Sequence, residues 1–135
     1  MLRRLDPREA KEHWPFVEAG LKRIIKKCPG TTWTPETVYW RVVRDQAALF
    51  CCEDGFFVAE RCIEPHTEAW YLNVWCMYFL PGKAKGRMQE LMQQIDLLQE
   101  HFLCKFTQFS SPRLGWGRAM SDYFKLHLCI FRREK

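Results

Sequence analysis

One stretch of this chain constrains its architecture more than any other. Tyr71-Leu72-Asn73-Val74-Trp75-Cys76-Met77-Tyr78-Phe79-Leu80 is an apolar run broken only by Asn73, and it stops at Pro81-Gly82. A short basic loop follows, Lys83-Ala84-Lys85-Gly86-Arg87, which opens directly into an amphipathic helix. A strand that feeds a basic, glycine-containing turn at a helix N-terminus can bind phosphate. Unpaired backbone N–H groups and the helix dipole both favour an anion there. The same lysines also serve as solubilising charge on an exposed helix start, although cations there are mildly unfavourable for the dipole. That unfavourable placement tilts the reading towards an anionic partner.

The remaining elements follow from caps, breakers and periodicity. Leu2 to Leu5 reads as a short first strand. Asp6-Pro7-Arg8-Glu9 then starts a helix, with Asp6 as cap, Pro7 at the first helical position and Glu9 closing a capping box. Ala10, Trp14, Val17, Leu21, Ile24 and Cys28 recur at helical spacing and give it one apolar face. Pro15 lies inside and is expected to kink this helix or split it in two, and Pro29-Gly30 ends it. Thr34-Pro35-Glu36 starts a second helix, to about Asp45, by the same logic. Ala48 to Cys52 and Phe56 to Ile63 are apolar strands joined by a hairpin at Glu53-Asp54-Gly55. Pro65-His66-Thr67 turns the chain into the long strand.

The helix from about Lys83 to His101 carries Met88, Leu91, Met92, Ile95, Leu98 and Phe102 on one stripe. Phe106 to Phe109 reads as a strand, Ser110-Ser111-Pro112 as a break, Leu114 to Phe124 as a short helix and Leu126 to Phe131 as a final strand. The order is β-α-α-β-β-β-α-β-α-β. Three consecutive antiparallel strands followed by strand-helix-strand crossovers imply an α/β (α+β) fold: a mixed, mostly antiparallel six-stranded sheet with helices on both faces. No repeat or linker divides the chain, so a single domain over residues 1–135 is expected.

Composition excludes some classes and leaves others open. With 47% hydrophobic and 15% aromatic residues the chain is a compact globular one rather than a disordered one. Its net charge of +5 suits an anionic ligand, nucleic acid or plain solubility about equally. No RNP-like motif accompanies the basic and aromatic residues, which argues against nucleic acid. The longest apolar stretch is too short and too interrupted to span a membrane. Met1-Leu2-Arg3-Arg4 runs into Asp6-Pro7 rather than an apolar segment, so no signal peptide is read there.

The seven cysteines include no CxxC pair. Cys52, Cys62, Cys76, Cys104 and Cys129 lie among apolar neighbours, where Cys packs as a small hydrophobe. A reducing, cytoplasmic setting is therefore expected. Cys51-Cys52 lacks a histidine neighbour in sequence to make it a nucleophile, and the histidines show no metal-ligand spacing.

The element order, with a basic glycine loop after the fourth strand, resembles the GNAT (Gcn5-related N-acetyltransferase) superfamily. That resemblance implies acetyl-CoA as cofactor, gripped between the splayed fourth strand and the third long helix. Its pyrophosphate then sits on backbone N–H groups of a loop written Q/R-x-x-G-x-G/A. The matching residues here are Lys83-Ala84-Lys85-Gly86-Arg87-Met88, with Gly86 retained and Met88 in place of the small residue that lets the backbone approach the phosphates. Val74 and Cys76 are the corresponding residues of the fourth strand. Further on, the family reads N-x-x-A-x-x-x-Y; this chain has Ala119 and Tyr123 at that spacing, with Trp116 where Asn is expected. The run Ser111-Pro112-Arg113-Leu114-Gly115-Trp116 looks more like small GNAT-like proteins encoded by bacteriophages, some of them virion components.

Two readings follow from the resemblance. One is an acyltransferase: Tyr123 would protonate the departing thiolate, and Glu68 or Glu60, on or near the central strands, would serve an acceptor amine as base. The other is a phage structural or interaction protein, carried in the virion, that keeps the fold without the cofactor. Under both, Tyr123 and the carboxylates also have plain structural roles open to them, as a packed tyrosine and as surface charge. Trp14, Trp33 and Trp40 fall on the acceptor side in GNAT proteins, where they would form an apolar pocket or a contact with another protein or a second copy. Asn73, alone in an apolar strand, marks either a splay or an exposed edge.

Overall fold

The computed structural model describes residues 1–28, 30–109 and 124. Its elements are β1 (Arg3–Leu5), α1 (Pro7–Lys27), α2 (Pro35–Val43), β2 (Ala48–Cys52), β3 (Gly55–Ile63), β4 (Trp70–Phe79), α3 (Ala84–His101) and β5 (Phe106–Phe109). They form one sheet in the order β1-β2-β3-β4-β5, antiparallel except for the last pair. The parallel β4–β5 pair is the one joined through a helix, since parallel neighbours need a crossover. The mixed, mostly antiparallel sheet is thus as expected, with five strands among the described residues. The expected helix at Leu114–Phe124, apart from Phe124, and the strand at Leu126–Phe131 lie outside them.

The starts of α1 and α2 form as their caps dictate. The Asp6 carboxylate accepts from the N–H groups of Arg8 and Glu9, and the Glu9 side chain accepts from Asp6 N–H, completing the capping box with Pro7 in the first turn. Thr34 and Thr37 do the same for α2. Pro15 does not divide α1, which is continuous over Pro7–Lys27. It sits on the solvent side, so the Lys11 carbonyl it leaves without an N–H can be served by water.

Two cores lie on opposite faces of the sheet. One gathers Val17 and Leu21 of α1, Val38 and Val42 of α2, and Leu49, Phe56, Val58 and Cys76 of the strands. The other gathers Met88, Leu91, Ile95 and Leu98 of α3 over Phe50, Phe57, Ala59, Leu72, Val74, Met77 and Phe79. The α3 stripe is the one periodicity predicts. Gly55 differs from expectation: it is a strand residue paired with Cys52 and Phe79, so the hairpin loop is Glu53-Asp54 alone. A Cβ on Gly55 would stand 2.5 Å from the Phe79 ring, so close approach of β4 is what requires glycine there.

Strand alternation holds along β4 until one point. The register runs Ala59↔Val74 and then Val58↔Cys76, so Trp75 is an extra residue, a β-bulge. Beyond it the chain turns at Leu80–Lys83, with Gly82 at φ +78, and enters α3. Among the described residues β5 pairs with β4 only over Tyr71–Val74. No helix among them is long and apolar enough to cross a membrane.

Candidate functional site

The α3 start has the features of an anion seat. Its cap, Lys83, makes no side-chain capping bond, and no acidic residue stands in the first turn. Lys83 N–H is taken by the Leu80 carbonyl at 3.0 Å, which leaves the N–H groups of Ala84, Lys85 and Gly86 without helical acceptors. Lys83, Lys85 and Gly86 are exposed, and a Cβ on Gly86 would meet nothing within 4 Å. Met88 points the other way: it is buried in the α3-side core and does not cover the helix end.

Arg87 is committed elsewhere. Its Nε donates to Asp54 Oδ2 at 2.8 Å, Nη2 to Glu53 Oε1 at 2.7 Å and Nη1 to Glu90 Oε2 at 3.0 Å. These carboxylates, Asp54 foremost, hold its guanidinium well above its ordinary range. Glu53 is pulled down to about 2, first by its own backbone N–H and then by Arg87 and the terminal ammonium. The residue ties α3 to the β2–β3 hairpin, so Lys83 and Lys85 are the exposed cations of the loop.

The second half of the site is the bulge. Val74 and Cys76, two residues apart, lie in opposite cores because Trp75 intervenes. Both side chains are buried, so what β4 presents to a ligand in this stretch is backbone. Trp75 faces α2 and packs edge-on against Trp33 at 5.8 Å between ring centres. Arg41 of α2 lies over the Trp75 ring at 5.4 Å, and its Nη1 donates to Glu60 Oε2 at 2.6 Å. Asn73 Nδ2 donates to the other oxygen, Oε1, at 3.2 Å. Asn73 is therefore the amide partner of a mostly buried carboxylate (Glu60 side chain 13% exposed).

The thiols nearby are quenched as nucleophiles. Burial, and then the charge of Glu60, push the Cys76 and Cys62 thiols up. Burial and neighbouring Cys52 raise Cys51 to about 11. All three stay protonated at neutral pH, which fits cysteine as a packing residue.

Glu68 is not at this site. It stands exposed before β4, with φ +58, and the strand from Trp70 to Trp75 puts roughly 17 Å between that end and the bulge at ~3.3 Å per residue. Of the two carboxylates the sequence offered, Glu60 is the one the fold brings to the bulge. Tyr123 lies outside the described residues. The three early tryptophans separate: Trp33 reaches the bulge, whereas Trp14 and Trp40 line an open groove of about 310 Å³ between α1 and α2 with Lys11, Glu18, Glu36 and Tyr39. Arg41 escaped sequence reasoning, since an exposed arginine on a short helix carries no periodic signal.

The arrangement resolves into a class of fold, one like that of solved GCN5-related acetyltransferases. No protein-family model matches the chain, and no curated protein matches it in sequence. Solved structures do. A GCN5-related N-acetyltransferase from Ralstonia eutropha JMP134 matches with a TM-score of 0.71 at 10% identity, over 99% of this chain and 97% of that one. AAC(6')-Iy in complex with the bisubstrate analog CoA-S-monomethyl-acetylneamine matches with a TM-score of 0.70 at 15% identity, over 100% and 97%. A ribosomal-protein-alanine N-acetyltransferase from Brucella melitensis biovar Abortus 2308 matches with a TM-score of 0.65 at 16% identity, over 97% and 99%. At these identities the likeness establishes the fold.

Proposed function

We propose that the protein is an acyltransferase that uses acetyl-CoA to acylate an amine. The observation that carries this is the stretch of β4 that begins at the Trp75 bulge and ends at the uncapped start of α3. From Trp75 to Phe79 it measures roughly 13 Å at ~3.3 Å per residue. That is the order of length of an extended pantetheine arm with its two amides, and β5 leaves this edge of β4 unpaired among the described residues.

The residues present fit such a molecule. The N–H groups of Ala84, Lys85 and Gly86 would hold the pyrophosphate, with Lys83 and Lys85 supplying charge, and the open space over Gly86 admits it. Bound acetyl-CoA supplies an activated thioester. Glu60 Oε2 would accept the proton of the acceptor amine, while Asn73 keeps the carboxylate oriented through Oε1. Tyr123 takes the acid role by the family resemblance alone. The free thiols suit a reducing, cytoplasmic setting.

A second reading, a protein-interaction module that keeps the fold without the cofactor, is favoured by one observation: Arg87 is spent on carboxylates. Calorimetric titration with acetyl-CoA separates the two. Saturable binding that Gly86→Asp abolishes supports the transferase; absence of heat at millimolar ligand overturns it.

A further inference from the structure

We infer that Arg41 is an internal occupant of the cation position beside Glu60, and that a cationic acceptor enters by displacing it. The inference rests on the reading of this face as the acceptor side. Glu60 is mostly buried on a central strand, and both of its oxygens are engaged, but by unequal partners. Asn73 is its register neighbour on β4 and is fixed there by the sheet. Arg41 reaches in from α2 on a long side chain that is 48% exposed, and its guanidinium has no other hydrogen-bond partner among the described residues.

The place Arg41 fills has the chemistry of a cation site. A carboxylate oxygen lies on one side and the face of Trp75 on another, with Trp33 bracing that indole edge-on. The remaining groups near Glu60, namely Tyr71, Cys62 and Cys76, are neutral at physiological pH, the thiols because burial pushes them up. Remove Arg41 and a mostly buried carboxylate is left with only neutral partners, the Asn73 amide and the Cys62 thiol, a state that favours taking up any cation that fits. An alkylammonium group supplies the same charge and donor on a smaller head, without Arg41's tether. The half-exposed Arg41 stem can swing into solvent, whereas Glu60 and Asn73 cannot leave the sheet.

An internal occupant lowers apparent affinity by the fraction of time it sits in the site, so removing it strengthens binding. The test uses n-butylammonium chloride as ligand, with 1-butanol and sodium chloride as controls, and no acetyl-CoA. Binding is read by Trp fluorescence and by the shift in melting temperature, in the wild type, Arg41→Met and Arg41→Met/Glu60→Gln. The expected result is at least tenfold tighter butylammonium binding in Arg41→Met, thermal rescue of that variant by butylammonium but not by butanol or salt, and loss of both with Glu60→Gln. Equal affinity in wild type and Arg41→Met overturns the inference, as does binding that survives Glu60→Gln. If Arg41→Met does not fold, Arg41→Gln is read the same way. A failed acetyl-CoA titration removes the transferase reading and leaves this result standing, because no cofactor enters the measurement.

Discussion

Trp75 and Cys76 are adjacent in the chain and face the same side of the sheet. In a regular strand they would alternate; here the bulge places both towards α1 and α2, and returns Met77 and Phe79 to the α3 side. Deleting Trp75 restores a continuous ladder, Val74 opposite Ala59 and Cys76 opposite Val58, with every other side chain still facing its own core. The deletion variant is therefore expected to fold, losing about 1 kcal/mol from the Trp33–Trp75 contact. It should lose acetyl-CoA binding, because the backbone kink that shapes this edge of β4 is gone. Circular dichroism and calorimetry check the two halves, and a folded deletion variant that binds acetyl-CoA normally would count against any role for the bulge.

Gly86 separates stability from binding. It is exposed on α3, and a Cβ there meets nothing within 4 Å. Gly86→Ala should raise stability by about 0.5–1 kcal/mol, the ordinary helix gain. If a phosphate closes over that backbone, the same methyl group weakens acetyl-CoA binding by tenfold or more. Melting temperature and calorimetric Kd measured on one sample suffice. A more stable variant with unaltered affinity would remove the loop from the cofactor site.

The Arg87 network sets an acid limit. Glu53 is held at about 2 against an ordinary 4.5, and Glu90 is lowered too, by the Leu2 N–H first and by Arg87 next. A carboxyl with a depressed folded value stabilises the fold above its unfolded value and loses that contribution as pH falls. For Glu53 the window runs from about 4.5 down to about 2. The melting temperature is expected to fall through that range. Arg87→Met should shallow the decline without abolishing it, since backbone donors hold part of each shift. An acid limb identical in wild type and variant would refute the assignment.

What was legible in the sequence is what short-range chemistry determines. Asp6-Pro7 with Glu9, and Thr34-Pro35, announce helix starts because cap and bond lie within one turn. The Met88-Leu91-Ile95-Leu98 stripe announces a buried face by its spacing. Trp75 gives no such sign: a bulge is a mismatch between two strands, and β4 reads as uniform apolar sequence. The bulge inverts strand parity beyond Trp75, and that is why Val74 and Cys76 part company. Glu68 is close to β4 in sequence, yet the length of the strand separates it from the bulge. Arg87 belongs to the basic loop in sequence, yet the hairpin carboxylates, over thirty positions earlier, take its guanidinium.

Gly20 tests how tightly α1 is seated over the candidate site. A Cβ built on it would stand 2.5 Å from Phe56 Cε1 and 2.8 Å from Tyr78 Cδ1. Phe56 is wholly buried and packs against Phe16 at 6.2 Å and Tyr78 at 5.9 Å between ring centres, so its ring has no free volume to retreat into. Gly20→Ala gains about 1 kcal/mol of helix propensity. It forces either a displaced helix or off-rotamer rings, at a cost of roughly 1–3 kcal/mol. The balance is destabilising, and denaturant unfolding should show a lower midpoint at unchanged slope. Since Tyr78 lies on β4 between the bulge and α3, the displacement should also weaken acetyl-CoA binding. A variant as stable as the wild type would mean that α1 can ride outward freely and that this packing does not fix the strand.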